Sequence, residues 1–576
     1  MKPENKTHSN NSVQACQNCK NDFTIETEDF NFYEKIKVPP PTFCPRCRLI
    51  RRMTNTNERV LYKRKCDLTG ESILSMFPED ASFPVYKSEA WYSDDWDPYK
   101  YGMEYDFSRP FFEQFQKLLN KVPRMALVKQ GLSKNSEYTH RVHDMKDSYM
   151  VFRMSGSQDS MYSYVGKNII NCVDCLSIWD SELCYECIDC NNCYKVRFTE
   201  ESHDCRDSFF LYACRNCSDC VGCINLVNQQ YCILNQKYTK EEYQEKIKEL
   251  RLNTFSGIES FKEKFEEFKK DFLIKAVHSL KSNNISGNWI VNCQNVKNSF
   301  GCLNVKDGKN LFWIFNAQDC MDYFQWGNSA ELVYESENVG INVSRIKFSS
   351  QCWMGAHNLT YCDSCPGAKN CFGCIGTKQG EYSILNKKYT KEEYEAMLPK
   401  VIEHMNNMPY MDEQGIVYKY GENFPTSLSP FAYNETAAMD FFPLTKNEIE
   451  NLGYKWKEKE KKNYQTTIKS NDLPETILET GENILNEVIE CAEKDKEYSV
   501  GAYKITENEL SFYKRMDLPL PRVCFDVRHK RRLIRRPQPN LYDRVCTKCN
   551  AEVKTVYDQS RAPIVYCEKC YQQEVY

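Results

Sequence analysis

The chain has 576 residues, 41% apolar and 27% charged, with a net charge of -4 and 31 cysteines. That length exceeds one compact core and implies about three or four domains. The lack of any apolar run near about 20 residues argues against a membrane-spanning helix. An odd cysteine count, many C-x-x-C pairs and a polar stretch at residues 1–11 predict reduced thiols in a cytoplasmic protein.

The first segment, 12–90, repeats at the far end of the chain. Residues 32–90 align without a gap onto 512–570, a constant offset of 480: Phe32 and Tyr33 on Phe512 and Tyr513, Cys44 on Cys524, Arg48 on Arg528, Cys66 on Cys546. A five-residue insertion upstream brings Cys16 onto Cys491 and Cys19 onto Lys494. So many matches in register predict one module occurring twice. Each module has places for two four-cysteine sites, and each copy keeps one: Cys16, Cys19, Cys44 and Cys47 at the N-terminus, Cys546, Cys549, Cys567 and Cys570 at the C-terminus. Two C-x-x-C knuckles separated by 24 or 17 residues suit a zinc ribbon, whose four thiolates form a closed tetrahedron with no position left for water. Two structural zinc ions are therefore expected, with iron in the same four-thiolate geometry as the alternative metal. Cys66, Cys491 and Cys524 are left over as buried relics.

Both knuckle regions are rich in arginine. Arg48, Arg51 and Arg52 in the first copy match Arg528, Arg531 and Arg532 in the second, which adds Lys530, Arg535 and Arg536. Concentrated guanidinium groups beside zinc knuckles suggest contact with nucleic-acid phosphate. A solvated charged face, pairing with internal acids such as those at 93–97, and a protein partner are the alternatives.

Residues 91–134 read as an aromatic, acidic linker followed by a helix from Ser108 to Val122 with Pro110 in its first turn. From 135 a different texture begins. The element Asp or Asn, then Ser or Cys, then usually a larger apolar residue recurs, as in Asp147-Ser148-Tyr149, Asn171-Cys172-Val173 and Asp207-Ser208-Phe209; Ser148, Ser160 and Cys172 are twelve residues apart, as are Ser208 and Cys220. Such a repeat predicts a β-solenoid whose coils stack small side chains into ladders. The runs Cys184, Cys187, Cys190, Cys193 and Cys214, Cys217, Cys220, Cys223 also resemble iron–sulfur spacing, and extra zinc is a further reading. Ladder packing is preferred, because serine exchanges with these cysteines and is a poor cluster ligand.

The solenoid is read in two halves, 135–253 and 254–399. Each ends in the same signature, Lys237 to Tyr243 and Lys388 to Tyr394, where Thr239 with Glu242 and Thr390 with Glu393 form capping boxes that begin a helix. The second half opens with an amphipathic helix from Phe255 to Leu273. Residues 400–488 form a linking region, and 489–576 the C-terminal zinc-ribbon module. The fold class is thus mainly β with α: zinc-ribbon modules at both termini flanking a two-part, helix-capped, cysteine-rich β-solenoid.

The stretch Phe32 to Arg52 with its Pro-Pro-Pro-Thr-Phe-Cys-Pro-Arg-Cys, the Arg64 to Asp67 turn, Phe83 to Asp97, the Tyr-Thr-Lys-Glu-Glu-Tyr caps and the C-terminal ribbon resemble an uncharacterised family of cysteine-rich zinc-ribbon proteins from bacteria with small genomes. The resemblance implies architecture and no activity. It also implies a second ribbon after Cys66, from which Thr69, Lys87 and Ala90 depart, so that site is expected to be empty.

The preferred functional expectation is a zinc-stabilised nucleic-acid binder, RNA above DNA, acting on structured RNA or ribosomal particles. The alternative is a protein-interaction scaffold that uses the solenoid surface and keeps zinc for structure only. Catalysis ranks third: no P-loop, dinucleotide fingerprint, H-E-x-x-H or nucleophile elbow is present, although a solenoid could bring His143 and Asp147 onto one face. No catalytic residue, membrane partner or oligomeric state is assigned.

Overall fold

The computed structural model describes residues 11–309, 311–322, 324–325, 327, 331–338, 340–458 and 464–575. The chain is mixed α/β, with a β-solenoid in the middle and a four-cysteine cluster near each end. Contacts group it into two units, each discontinuous in sequence. One combines the residues up to 126 with 277–457, the other 127–276 with 458 onward. The N-terminal ribbon therefore belongs with the second solenoid half, and the C-terminal ribbon with the first.

The solenoid of the second unit shows its rule most plainly. From Asn171 to Asp207 every third residue has a φ between 44° and 57°. These are corners, and Asn and Asp dominate them because their short polar side chains tolerate the left-handed region. The next residue points inward and the one after outward, so a side is three residues long and four sides make a coil. Strands at Val151–Gln158, Tyr164–Ile170 and Leu176–Glu182 pair in parallel with partners twelve apart, as in Tyr164↔Leu176. The recurrent triplet of the sequence is thus corner, inward residue, outward residue. In the first unit the coils are less regular: Ser279 pairs with Ile290, Cys302 with Ile314, and Ser344 with His357. Coils of eleven and thirteen residues among those of twelve explain why the period blurs in that half.

Each solenoid half closes in the same way. The last coil turns back through a short antiparallel strand, Gln236–Lys237 or Lys387–Lys388, into helix Lys240–Glu249 or Lys391–Asn407. Both helices begin at the expected capping box, with Thr239 and Thr390 accepting the amide protons of Glu242 and Glu393. Asn235 and Asn386 tie the turn to the coil below, each bonding both the N–H and the C=O of one residue, Ile224 or Ile375.

The ribbon modules carry the same elements 480 residues apart. Helix Thr27–Ile36 corresponds to Glu507–Met516, helix Pro45–Met53 to Phe525–Arg535, and hairpin Tyr62–Lys65 with Ser72–Ser75 to Tyr542–Val545 with Glu552–Thr555. In each unit these helices cover part of the solenoid through aromatic contacts. Tyr33 meets Tyr334 at 5.3 Å between ring centres in the first unit, and Tyr162 stacks on Phe525 at 5.6 Å in the second. Helix Phe111–Leu119 is shorter than expected, with Pro110 standing as its cap. Helix Phe255–Lys269 buries Ile258, Phe261 and Phe265 and seats Phe261 on Phe210.

Candidate metal centres and the arginine helices

Cys16 and Cys19 lie on the turn after strand Ser12–Ala15, and Cys44 caps helix Pro45–Met53 with Cys47 in its first turn. The four sulfurs lie within 4.8 Å of one another. Cys19 Sγ and Cys44 Sγ are 3.7 Å apart, near the edge of about 3.8 Å expected for a tetrahedron with metal–sulfur bonds of about 2.3 Å. The Cys44 amide donates to Cys16 Sγ at 3.2 Å, and Asn18 donates to Cys47 Sγ at 3.4 Å. The Cys44 and Cys47 thiols donate to Cys16 and hold its pKa far below the ordinary thiol value, while Cys44 is pushed up to about 11. Cys546, Cys549, Cys567 and Cys570 repeat the arrangement, again within 4.8 Å, with Cys549 and Cys567 sulfurs 3.8 Å apart and the Cys567 amide 3.3 Å from Cys546 Sγ. Burial raises the Cys546 thiol, but the amides of Cys567, Cys549 and Lys548 outweigh it and bring it to about 6. Both donor sets fit a metal ion. The first is the better covered, since Cys549 is exposed.

The positions that lost ligands kept their backbone. The Cys524 amide donates to Cys491 Sγ at 3.3 Å, as its counterpart Cys44 does to Cys16, and Val527 is buried where Cys47 stands in the other copy. Cys66 receives the amides of Thr69 and Lys87 at 3.4 and 3.3 Å, and the Lys87 ammonium pairs with Glu71 at 2.9 Å. The knuckle turn therefore folds with or without its full thiol set.

The solenoid thiols behave differently. They point inward and are almost wholly buried, and in the run from Cys172 to Cys193 each thiol has two backbone carbonyls within reach of its single proton. Cys172 Sγ reaches the Ile170 and Ser181 oxygens at 3.4 and 3.5 Å, and Cys190 Sγ those of Ile188 and Thr199 at 3.4 and 3.3 Å. Serines at inward positions make the same short-range bond, Ser181 to Trp179 and Ser202 to Glu200. The C-x-x-C spacing of these runs is the length of one solenoid side, which ligand-spacing logic could not distinguish from a knuckle.

The arginines require a correction. Six of the nine cations assigned to phosphate, Arg48, Arg51, Arg52, Arg528, Arg532 and Arg536, are buried. Arg48 Nε donates to Asp322 at 2.7 Å, and Arg51 binds Glu335 at 2.7 Å and Glu422 at 3.2 Å. Arg52 lies 3.6 Å from Glu335 and 3.8 Å from Asp322. In the second unit Arg528 and Arg532 meet Asp174 at 3.1 and 3.0 Å, and Arg532 also binds Glu186. Arg535 pairs with Glu200 at 2.8 Å and Arg536 with Asp189 at 2.9 Å. Arg531 is partly exposed and pairs with Glu493, so that Lys530 alone of the nine has no carboxylate partner among the described residues. Burial holds Asp174, Glu422 and Glu509 above the ordinary carboxylate range, and the facing arginines oppose that shift.

The internal acids are not those at 93–97. They are solenoid residues 322 and 335, or 174, 186, 189 and 200, together with Glu422 and Glu509. Their signal was present in the sequence: Asp174 and Glu186 are twelve residues apart, hence stacked corners on one face. Sequence reasoning missed them because it looked for partner acids in contiguous runs such as that at 93–97. His143 pairs with the neighbouring Asp144 at 2.8 Å and Asp147 accepts from Asn135, so the two do not form a joint acid–base pair.

No family model matches the chain, and no curated protein matches it either. Among solved structures, a protein from Desulfovibrio desulfuricans G20 described as a "putative acetyltransferase" is 12% identical over 43% of this chain and 68% of its own, with a TM-score of 0.10. A likeness of that size carries no argument about fold or function. No helix among the described residues is long and apolar enough to cross a membrane.

Proposed function

We propose that the protein is a zinc-stapled interaction scaffold of a reducing cytoplasm, in which the ribbons brace the solenoid and the uncovered solenoid sides receive a protein partner. The observation that carries this reading is the inward commitment of the arginine helices: eight of nine candidate phosphate cations already face carboxylates of their own unit. A guanidinium buried against a carboxylate is not available to a phosphate without breaking a costly pair. Zinc is the metal of the proposal because closed four-thiolate tetrahedra suit it and leave no site for catalysis. The ribbon motifs support membership of the cysteine-rich zinc-ribbon family within the same proposal. In the second unit the surface on offer includes Tyr194, 42% exposed, and the exposed Arg206 one coil further on.

The earlier nucleic-acid expectation is the competing outcome of the test. Filter binding of RNA and DNA at two salt concentrations should show no retention with the steep salt slope that released counterions produce. A wild-type protein that binds RNA with such a slope, lost in Lys530→Ala, would return the function to nucleic acid. For the scaffold, Tyr194→Ala with Arg206→Ala should abolish a stoichiometric complex isolated from the native host while leaving metal content unchanged.

A further inference from the structure

We propose that the second unit carries a saccharide-binding notch where one rung of its polar corner ladder is missing. One corner of the solenoid is occupied at twelve-residue intervals from Asp144 to Asn228, by Asn or Asp at every coil except one. Along this corner the side chains bond from coil to coil: Asn168 to Asp180 at 2.8 Å, Asn192 to Asp204 at 2.6 Å, Asn216 to Asn228 at 2.7 Å. The exception is Gly156, between Asp144 and Asn168. Its φ of 65° matches the corners around it, so the backbone continues and only the side chain is absent. A recess of about 340 Å³, open to solvent, occupies that place.

The walls of the recess have mixed chemistry. Asn168 Oδ1 leans over the gap, 2.8 Å from where a Gly156 Cβ would stand, and among the described residues it accepts no hydrogen bond. Asp144 lies across from it, its two oxygens already engaged by the Leu132 amide and His143 but half exposed. Among the described residues the Lys146 ammonium has no partner; Gln158, whose Nε2 donates to Asp159, keeps its amide oxygen, and Ile170, 40% exposed, supplies an apolar edge. A bare anion would meet Asp144, a bare cation would meet Lys146, and an apolar ligand would leave Asn168 and Lys146 unsatisfied. A saccharide satisfies all of them: hydroxyls donate to Asn168 and Asp144 and accept from Lys146, and a C–H face rests on Ile170. Coils stack about 4.8 Å apart, so the three coils bearing the notch span roughly 10 Å, the length of a disaccharide within a longer glycan.

The inference goes beyond the scaffold reading and is tested separately from it. The full-length protein is titrated with maltohexaose, cellohexaose, chitohexaose and trigalacturonate, followed by saturation-transfer NMR. At least one should bind saturably with a Kd of about 1 mM or tighter, as a shallow solvent-facing site allows. Gly156→Asn restores the rung with a residue that the neighbouring corners already carry, and should weaken binding at least about tenfold with metal content and circular dichroism unchanged. Lys146→Ala, a surface change that leaves the ladder alone, should weaken it by about threefold or more. Absence of binding to all four glycans, or full binding in both variants, would overturn the proposal.

Discussion

The two units carry equivalent arginine helices and fasten them differently. In the first, the four-cysteine cluster sits on the helix itself: Cys44 caps it, Cys47 lies in its first turn, and Arg48, Arg51 and Arg52 follow at once. In the second, the equivalent helix has no cluster at its start. Cys524 still caps it and donates to Cys491, and Val527 fills the ligand position with apolar packing. The second unit's four-cysteine cluster lies beyond, beside strand Val565–Tyr566, which pairs with Ile274–Lys275. Docking of the helix on acidic solenoid residues occurs in both, so the ion pairs are what the two helices share and the four-cysteine cluster is not. A complete four-cysteine set in one copy and buried Val527 in the other flank a turn whose amide-to-sulfur bond is retained.

The largest expected effect comes from separating metal from docking. The binding energy of a structural zinc site, about 10–16 kcal/mol in small peptides, is folding energy for the element it closes. Cys16→Ser should remove one of two metal ions and, by hydrogen exchange, expose the amides of helix Pro45–Met53 and its hairpin. Cys546→Ser should also remove one ion but leave helix Phe525–Arg535 protected, opening only the hairpin after it and strand Ile274–Lys275. Equal loss of protection in the two arginine helices would break the comparison.

A smaller effect sharpens it at one aligned position. Arg51 is buried between Glu335 and Glu422, whereas Arg531 is 42% exposed in its side chain and meets Glu493 alone. Arg51→Ala removes the nearest cation of the buried Glu335 and Glu422 and should cost about 3–5 kcal/mol in urea unfolding. Arg531→Ala should cost no more than about 1 kcal/mol. Equal costs would mean that the burial difference does not govern these pairs.

The smallest effect is expected inside the ladder. Cys190→Ser with Cys220→Ser replaces thiols by a group that Ser181, Ser202 and Ser208 already place at inward positions with the same bond to the carbonyl two residues back. The double variant should remain soluble, colourless and folded, losing no more than about 2 kcal/mol, since the hydroxyls find acceptors. A visible absorption present in anaerobically purified wild type and absent from the variant would replace ladder packing with a metal cluster.

Much of the fold was legible because its rules are local. A capping box needs four residues, and Thr239 with Glu242 or Thr390 with Glu393 announce their helices directly. A knuckle needs two cysteines and the amides between them, so both ligand sets could be read from spacing. The triplet of corner, inward residue and outward residue was visible as a recurring pattern, although its three-residue side was hidden by the resemblance of C-x-x-C to a ligand motif. The eleven- and thirteen-residue coils of the first unit blurred the period there.

By itself, then, the sequence determined the two four-thiol sets, the repeated ribbon elements, the helical caps and the solenoid that separates the ribbons. Tertiary structure alone decided where the arginines face. Arg48 meets an acid 274 residues away, and Arg532 one 346 residues away. A cluster of like charges reads the same whether it faces water, phosphate or a carboxylate. Which of these it meets depends on the coil that folding stacks against it, and the charge pattern of the helix carries no information about that coil.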